Sequence, residues 1–141
     1  MSKLDEQEKR IAQILSDGVI NEDNLWKTSK TLNKYFKYLK NNLDSPCIMT
    51  GIEYFPWEES YVFGYGSKKE YEKLKKDNPS YKDIFELVAF ENDVDEQILV
   101  KVKRQSDKKK FIIELDCLKA IEVTSKNYQA LDDYSVWYVN Y

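Results

Sequence analysis

Leu4, Ile11, Ile14 and Leu15 recur at mixed three- and four-residue steps, the spacing that lines up side chains on one face of a helix, so residues 4–16 are predicted to form a short amphipathic helix. Asp17 and Gly18 then act as its stop. After Asn21 and Asp23, either of which can cap, Leu25, Leu32, Phe36, Leu39 and Leu43 keep one apolar stripe, which predicts a single long helix to about residue 43. Lys and Asn interrupt the stripe too often for a coiled coil, so packing on a sheet is the expected use of that face.

Ser45-Pro46 breaks the helix, and Cys47 to Phe55 reads as a strand of mixed burial, with Tyr61 to Tyr65 as a second short strand. Ser67-Lys-Lys-Glu70 has the form of a capping box and predicts a helix over 68–77, which Asn78-Pro79-Ser80 stops. Asp83 to Phe90, Gln97 to Arg104 and Lys110 to Leu115 follow as three strands, most simply an antiparallel meander. Gln105 to Lys108 closes the second hairpin without glycine, whereas Glu91 to Glu96 forms a longer, acidic connection. Asp116 to Ile121 reads as a single helical turn. Residues 128–141, after Asn127 as a cap, read as a helix with Tyr128, Leu131, Tyr134, Ser135 and Tyr138 on one face and Trp137 beside it. The expected architecture is α+β: an N-terminal helical region (1–44) packed as one unit with an α+β domain (45–141), comprising N-terminal helices, an antiparallel sheet of four to five strands and a C-terminal helix.

Composition narrows the function more than the fold. The 141 residues, 42% hydrophobic and 14% aromatic, suffice for one domain with a real core. Histidine is absent, which removes Ser-His-Asp and Cys-His catalysis and His-ligated zinc together, so a non-catalytic protein is expected. Lys+Arg at 22 against Asp+Glu at 25 gives a net charge of -3, which offers no global attraction to nucleic acid and no polybasic membrane anchor. The N-terminal residues lack the apolar run of a secretory signal, and the expected location is cytoplasmic. Cys47 and Cys117, without CxxC spacing, are expected to be reduced core residues.

Four clusters carry candidate chemistry. Glu91, Asp93, Asp95 and Glu96 form an acidic link with no base between residues 86 and 96, the oxygen-rich chemistry that hard divalent ions want. It is not an EF-hand, since Ile98 and Arg104 stand where that loop needs glycine and glutamate, and its spacing equally describes a solvated hairpin loop. Asp132 and Asp133 lie among aromatics in the last helix. Neighbouring helix positions diverge by about 100°, so one of the two can face a ligand, or both can meet the helix dipole. Gly64, Gly66, Ser67, Lys68 and Lys69 lead from a strand into a capped helix start, a place for a phosphate or a nucleotide-like ligand or simply a tight turn; the Walker spacing is absent. Lys101, Lys103, Arg104 and Lys108 to Lys110 describe a solvated sheet face, and their lack of interleaved aromatics argues against nucleic-acid binding. With 11 Tyr and 3 Trp, the chain is also rich in the residues that suit protein interfaces.

Tyr38-Leu39 with Leu43-x-x-Pro46, the acidic link at 91–96, Phe111-Ile-Ile-Glu-Leu115 with Leu118, and Gln129-Ala-Leu-Asp-Asp-Tyr-Ser-Val-Trp137 together resemble the small cyanobacterial-type calcium-binding proteins of the CcbP family. The resemblance implies a compact α+β domain that binds Ca²⁺ through acidic side chains without EF-hands. By position, the residues it points to are Glu91, Asp93, Asp95 and Glu96, then Asp132 and Asp133, and Asp83 at the start of its strand. A longer N-terminal helical region, a segment over 55–76 read as an addition, and a lower acidity set this chain apart. The expected function is Ca²⁺ binding. The alternative is an inhibitory or sequestering protein, such as a bacterial or phage immunity or anti-defence factor, that engages a protein partner or a phosphorylated small molecule.

Overall fold

Asp5 opens the first helix with a reciprocal cap: its carboxylate accepts from the Glu8 N–H at 2.7 Å, and Glu8 Oε1 accepts from the Asp5 N–H at 3.4 Å. The computed structural model describes residues 5–16, 20–91 and 96–141, apart from the Glu22 side chain; the predicted stop at Asp17 and Gly18 lies outside the described residues. Helix α1, Glu6–Leu15, buries Ile11, Ala12 and Leu15.

The long helix expected from Asn21 onward is two elements. Asn21 caps a short 3-10 turn, Glu22–Leu25, and Trp26 then takes an extended conformation. Thr28 restarts the chain as helix α2, Ser29–Asn42, through a second reciprocal cap with Thr31 (3.1 and 2.8 Å). The apolar stripe runs across the break because Leu25 and Leu32 enter the same core from separate elements.

Five strands form one antiparallel sheet in the order β4-β3-β2-β1-β5. They are β1 (Ile48–Gly51), β2 (Phe85–Phe90), β3 (Leu99–Arg104), β4 (Lys110–Glu114) and β5 (Leu118–Ala120), and β2 to β4 form the predicted meander. The strand expected to reach Phe55 ends at Gly51, where the chain presses on Tyr81 so closely that a Cβ would sit 2.6 Å from the Tyr81 Cα. Residues 61–65 are not a strand: helix α3 spans Glu59–Val62, and the Tyr65 N–H returns to the Ser60 carbonyl at 2.8 Å. The cause is the preceding turn at Pro56–Glu58, which already has the chain winding helically. Helix α4, Lys68–Leu74, ends earlier than predicted, with Asn78 donating from both its main chain and its side chain to the Leu74 carbonyl. The predicted helical turn over 116–121 is shorter, a 3-10 turn at Leu115–Cys117, after which Leu118 and Ala120 bury alternately as β5 along the free side of β1.

Helix α5, Lys126–Asn140, is capped by Ser125, two residues before the expected Asn127. Asn127 instead clasps the Asp44 main chain, accepting from its N–H at 2.8 Å and donating to its carbonyl at 2.9 Å. The inward face of α5 carries Leu131, Tyr134, Ser135 and Trp137, with Tyr128 and Tyr138 half-buried. A single hydrophobic cluster unites α1, α2, the inner sheet face and α5. Cys47 is buried within it, Cys117 is half-buried, and both are free thiols. No helix among the described residues is long and apolar enough to cross a membrane.

Candidate metal centre

Register in the β3–β4 hairpin sets Leu99 opposite Glu114, which places Glu114 beside the first residue of β3. One residue on, the Leu115 N–H donates to the Ile98 carbonyl at 2.9 Å and its side chain sinks into the core. That anchor forces the following turn, carrying Asp116 and Cys117, against α5 and β1. Ser135 Oγ donates to the Asp116 carbonyl at 2.8 Å, and the Ile52 N–H to the Cys117 carbonyl at 3.0 Å. Ligand-capable atoms of Glu114, Asp116 and Cys117 all lie within 4.8 Å of one another.

Electrostatics at this corner favour an added cation. Asp116 Oδ1 is buried and has no hydrogen-bond partner among the described residues. Burial first, and the Glu114 charge second, raise the Asp116 pKa above the usual carboxylate value. Burial, then Asp116, Glu114 and Glu53, push the Cys117 thiol up to about 12, so it remains protonated and a poor ligand for soft metals. The Tyr138 hydroxyl donates to the Glu96 carbonyl at 3.1 Å, and its pKa is raised by burial and then by Asp116, Glu114 and Glu96. The Lys27 charge acts against this rise at Asp116, and its ammonium donates to the Tyr138 carbonyl at 2.9 Å and lies 4.0 Å above the Tyr138 ring. Carboxylate oxygens with one atom unsatisfied suit a hard divalent ion.

The predicted site residues separate into distinct places. Glu96 is exposed and meets the Tyr138 hydroxyl through its main-chain carbonyl, Glu91 directly follows β2 with its N–H on the Leu99 carbonyl at 3.0 Å, and Asp93 and Asp95 lie outside the described residues. Asp133 is buried on α5 and gripped by α1: Arg10 Nε meets its Oδ2 at 2.9 Å and Arg10 Nη2 its Oδ1 at 3.0 Å. Gln7 Nε2 bridges Asp133 Oδ1 and Asp132 Oδ2, each at 3.0 Å. Asp83 Oδ2 accepts from the Ser80 N–H at 2.8 Å and from Nη1 of the buried Arg104 at 3.0 Å. Asp133 and Asp83 are thus each paired with a different arginine, Arg10 and Arg104.

The glycine turn is shaped by aromatics. Gly64 has φ +82°, and a Cβ on Gly66 would fall 2.4 Å from the Tyr61 ring, which stacks on Tyr71 at a centroid distance of 5.3 Å. Ser67 accepts from the Glu70 N–H at 3.3 Å as predicted, but the Glu70 carboxylate takes the Tyr61 hydroxyl at 3.0 Å instead of closing back on the cap. Lys68 and Lys69 are exposed on the short helix that follows.

Glu114 and Asp116 escaped the sequence reading, although Glu-Leu-Asp at 114–116 alternates acid with apolar across the end of a strand, which is the visible mark of two carboxylates flanking one anchor.

Comparison with known proteins bears on the family and the fold. A family model of CcbP type, described as calcium binding, matches residues 55–138. The match takes in the 55–76 segment read as an addition, while Tyr38-Leu39 and Leu43 to Pro46 fall outside it. The crystal structure of Anabaena CcbP is similar in fold, with 16% identity, a TM-score of 0.59, and 96% of this chain and 92% of that chain covered. A structure of a calcium-binding protein in its calcium-binding form gives 16% identity, a TM-score of 0.56, and coverage of 94% and 89%. No curated protein matches the chain significantly. With more than half of its length matched by the family model, this chain belongs to the CcbP family of calcium-binding proteins.

Proposed function

We propose that this chain binds Ca²⁺, without catalysing a reaction, at the corner between β4 and β5, with Glu114 and Asp116 as carboxylate ligands and Glu96 and the link at 91–96 supplying further oxygens. The observation that carries this reading is the buried Asp116 Oδ1, without a partner among the described residues, beside a second carboxylate. A carboxylate removed from water without a counter-charge is destabilising, and a divalent cation supplies the missing charge. Ca²⁺ accepts about six to eight oxygens in adaptable geometry, which suits ligands drawn from a turn and a link together with water. Asp133 and Asp83 are less suited, because arginine already neutralises each. The absence of histidine from the sequence and a thiol held protonated support binding as the whole of the corner's chemistry.

Calorimetry with Ca²⁺ and Mg²⁺ at physiological salt tests the reading on wild type, Asp116→Asn and Glu114→Gln. Calcium-selective binding is expected, weakened at least about tenfold in each variant, with a calcium-dependent rise in melting temperature of the wild type. Absence of both heat and a melting shift at millimolar Ca²⁺ would sink the proposal, and unaltered binding in both variants would move the ion elsewhere.

A further inference from the structure

β4 is one of the two edge strands of the sheet and, among the described residues, pairs only with β3. Its main-chain directions follow from two hydrogen bonds at its ends: the Arg104 N–H donates to the Lys109 carbonyl at 2.8 Å and the Leu115 N–H to the Ile98 carbonyl at 2.9 Å. Antiparallel pairs alternate between bonded and non-bonded. Phe111 and Ile113 therefore turn their amides and carbonyls toward β3, while Lys110, Ile112 and Glu114 turn theirs outward. Among the described residues no hydrogen bond reaches those outward groups. The same three side chains share the sheet face away from the buried Ile113, and Ile112 between the two charges is 49% exposed. Neither proline nor a bulge, the usual protections of an edge strand, interrupts the strand.

The sequence of this edge is its own complement. When two β4 strands run antiparallel about a two-fold axis at Ile112, each Ile112 faces its copy and each Lys110 faces a Glu114. All outward amides and carbonyls of the three residues then find partners. A slip of two residues would set Lys110 against Ile112 and lose both charge pairs. We propose that two copies of this chain associate through antiparallel pairing of their β4 edges, joining two sheets into one. Charge complementarity selects a second copy as the occupant, because Lys-x-Ile-x-Glu pairs with itself in this one register.

Sedimentation equilibrium of the full chain in EDTA, which keeps calcium out of the measurement, tests the pairing. The mass is expected to rise from 16.8 kDa toward twice that value with concentration. Ile112→Pro removes an outward N–H and no bond to β3, so it is expected to weaken the dimer at least about tenfold. Lys110→Glu and Glu114→Lys should each give monomers, because like charges then face each other, and an equimolar mixture of the two variants should restore the dimer through opposite pairs. A monomer throughout the concentration range, a dimer untouched by Ile112→Pro, or no recovery on mixing would overturn the proposal.

Discussion

Arg10 closes a two-bond fork on Asp133, at 2.9 and 3.0 Å, and so ties α1 to α5 across 123 positions of sequence. The arginine is 38% exposed and the aspartate 5%, so solvent screens part of the attraction. Asp133→Ala is expected to cost about 1–2 kcal/mol. Urea unfolding in EDTA measures this, and Ca²⁺ affinity should stay at the wild-type value. A variant that loses calcium binding would put Asp133 among the ligands.

Trp137 is fully buried, 5.0 Å from the Tyr35 ring, and its Nε1 donates to the Leu25 carbonyl at 2.6 Å. Trp137→Ala should cost about 3–5 kcal/mol, with calcium present or absent. Near-native stability by urea unfolding would contradict its place at the centre of the core.

Glu58 is a buried carboxylate that collects the Phe55 and Tyr81 amides, at 3.1 and 2.9 Å, together with the Tyr71 and Ser80 hydroxyls. It fastens the turn before α3, the helix α4 and the approach to β2. Glu58→Ala would leave those donors unsatisfied and is expected to destabilise by about 3 kcal/mol or more. Faster proteolysis within residues 56–80 would show the loosening directly, and an unchanged digestion pattern would refute it.

Acid sensitivity should come partly from Asp107, whose pKa is lowered to about 2, first by the hydrogen bonds from Arg104. A depressed carboxylate contributes stability that is present above its ordinary value and lost as pH falls through the folded value. The loss is therefore expected between about pH 4 and 2. Melting temperatures across that window should fall less steeply in Asp107→Asn; identical slopes would show that the pair contributes nothing.

At the proposed metal corner the raised Asp116 pKa means that its charge opposes folding when calcium is absent. Asp116→Asn should raise the melting temperature in EDTA and abolish the rise that Ca²⁺ produces. A lower melting temperature in EDTA would mean that the carboxylate has a stabilising partner.

Local order was legible along the chain. Apolar steps near Ile11 and Leu15, the meander from Phe85 to Glu114 and the aromatic helix ending near Tyr141 all follow from interactions within a few residues, and these repeat visibly in sequence. The α+β class and the family resemblance through 129–137 belong to the same level. Where local signals were ambiguous, neighbours decided: Thr28 and Thr31 split one predicted helix, and the open side of β1 drew Leu118 to Ala120 into a strand.

What sequence determined by itself was where carboxylates are concentrated; what only tertiary structure decided was which of them are free. Asp133 and Asp83 look as available as any other acid until folding brings Arg10 and Arg104 to them. Asp116 looks like any other acid until Leu115 anchors its turn and leaves one oxygen buried with no partner among the described residues. The physical reason is that a carboxylate's charge state and capacity for a cation depend on distance and desolvation, and both are set by contacts far away in sequence.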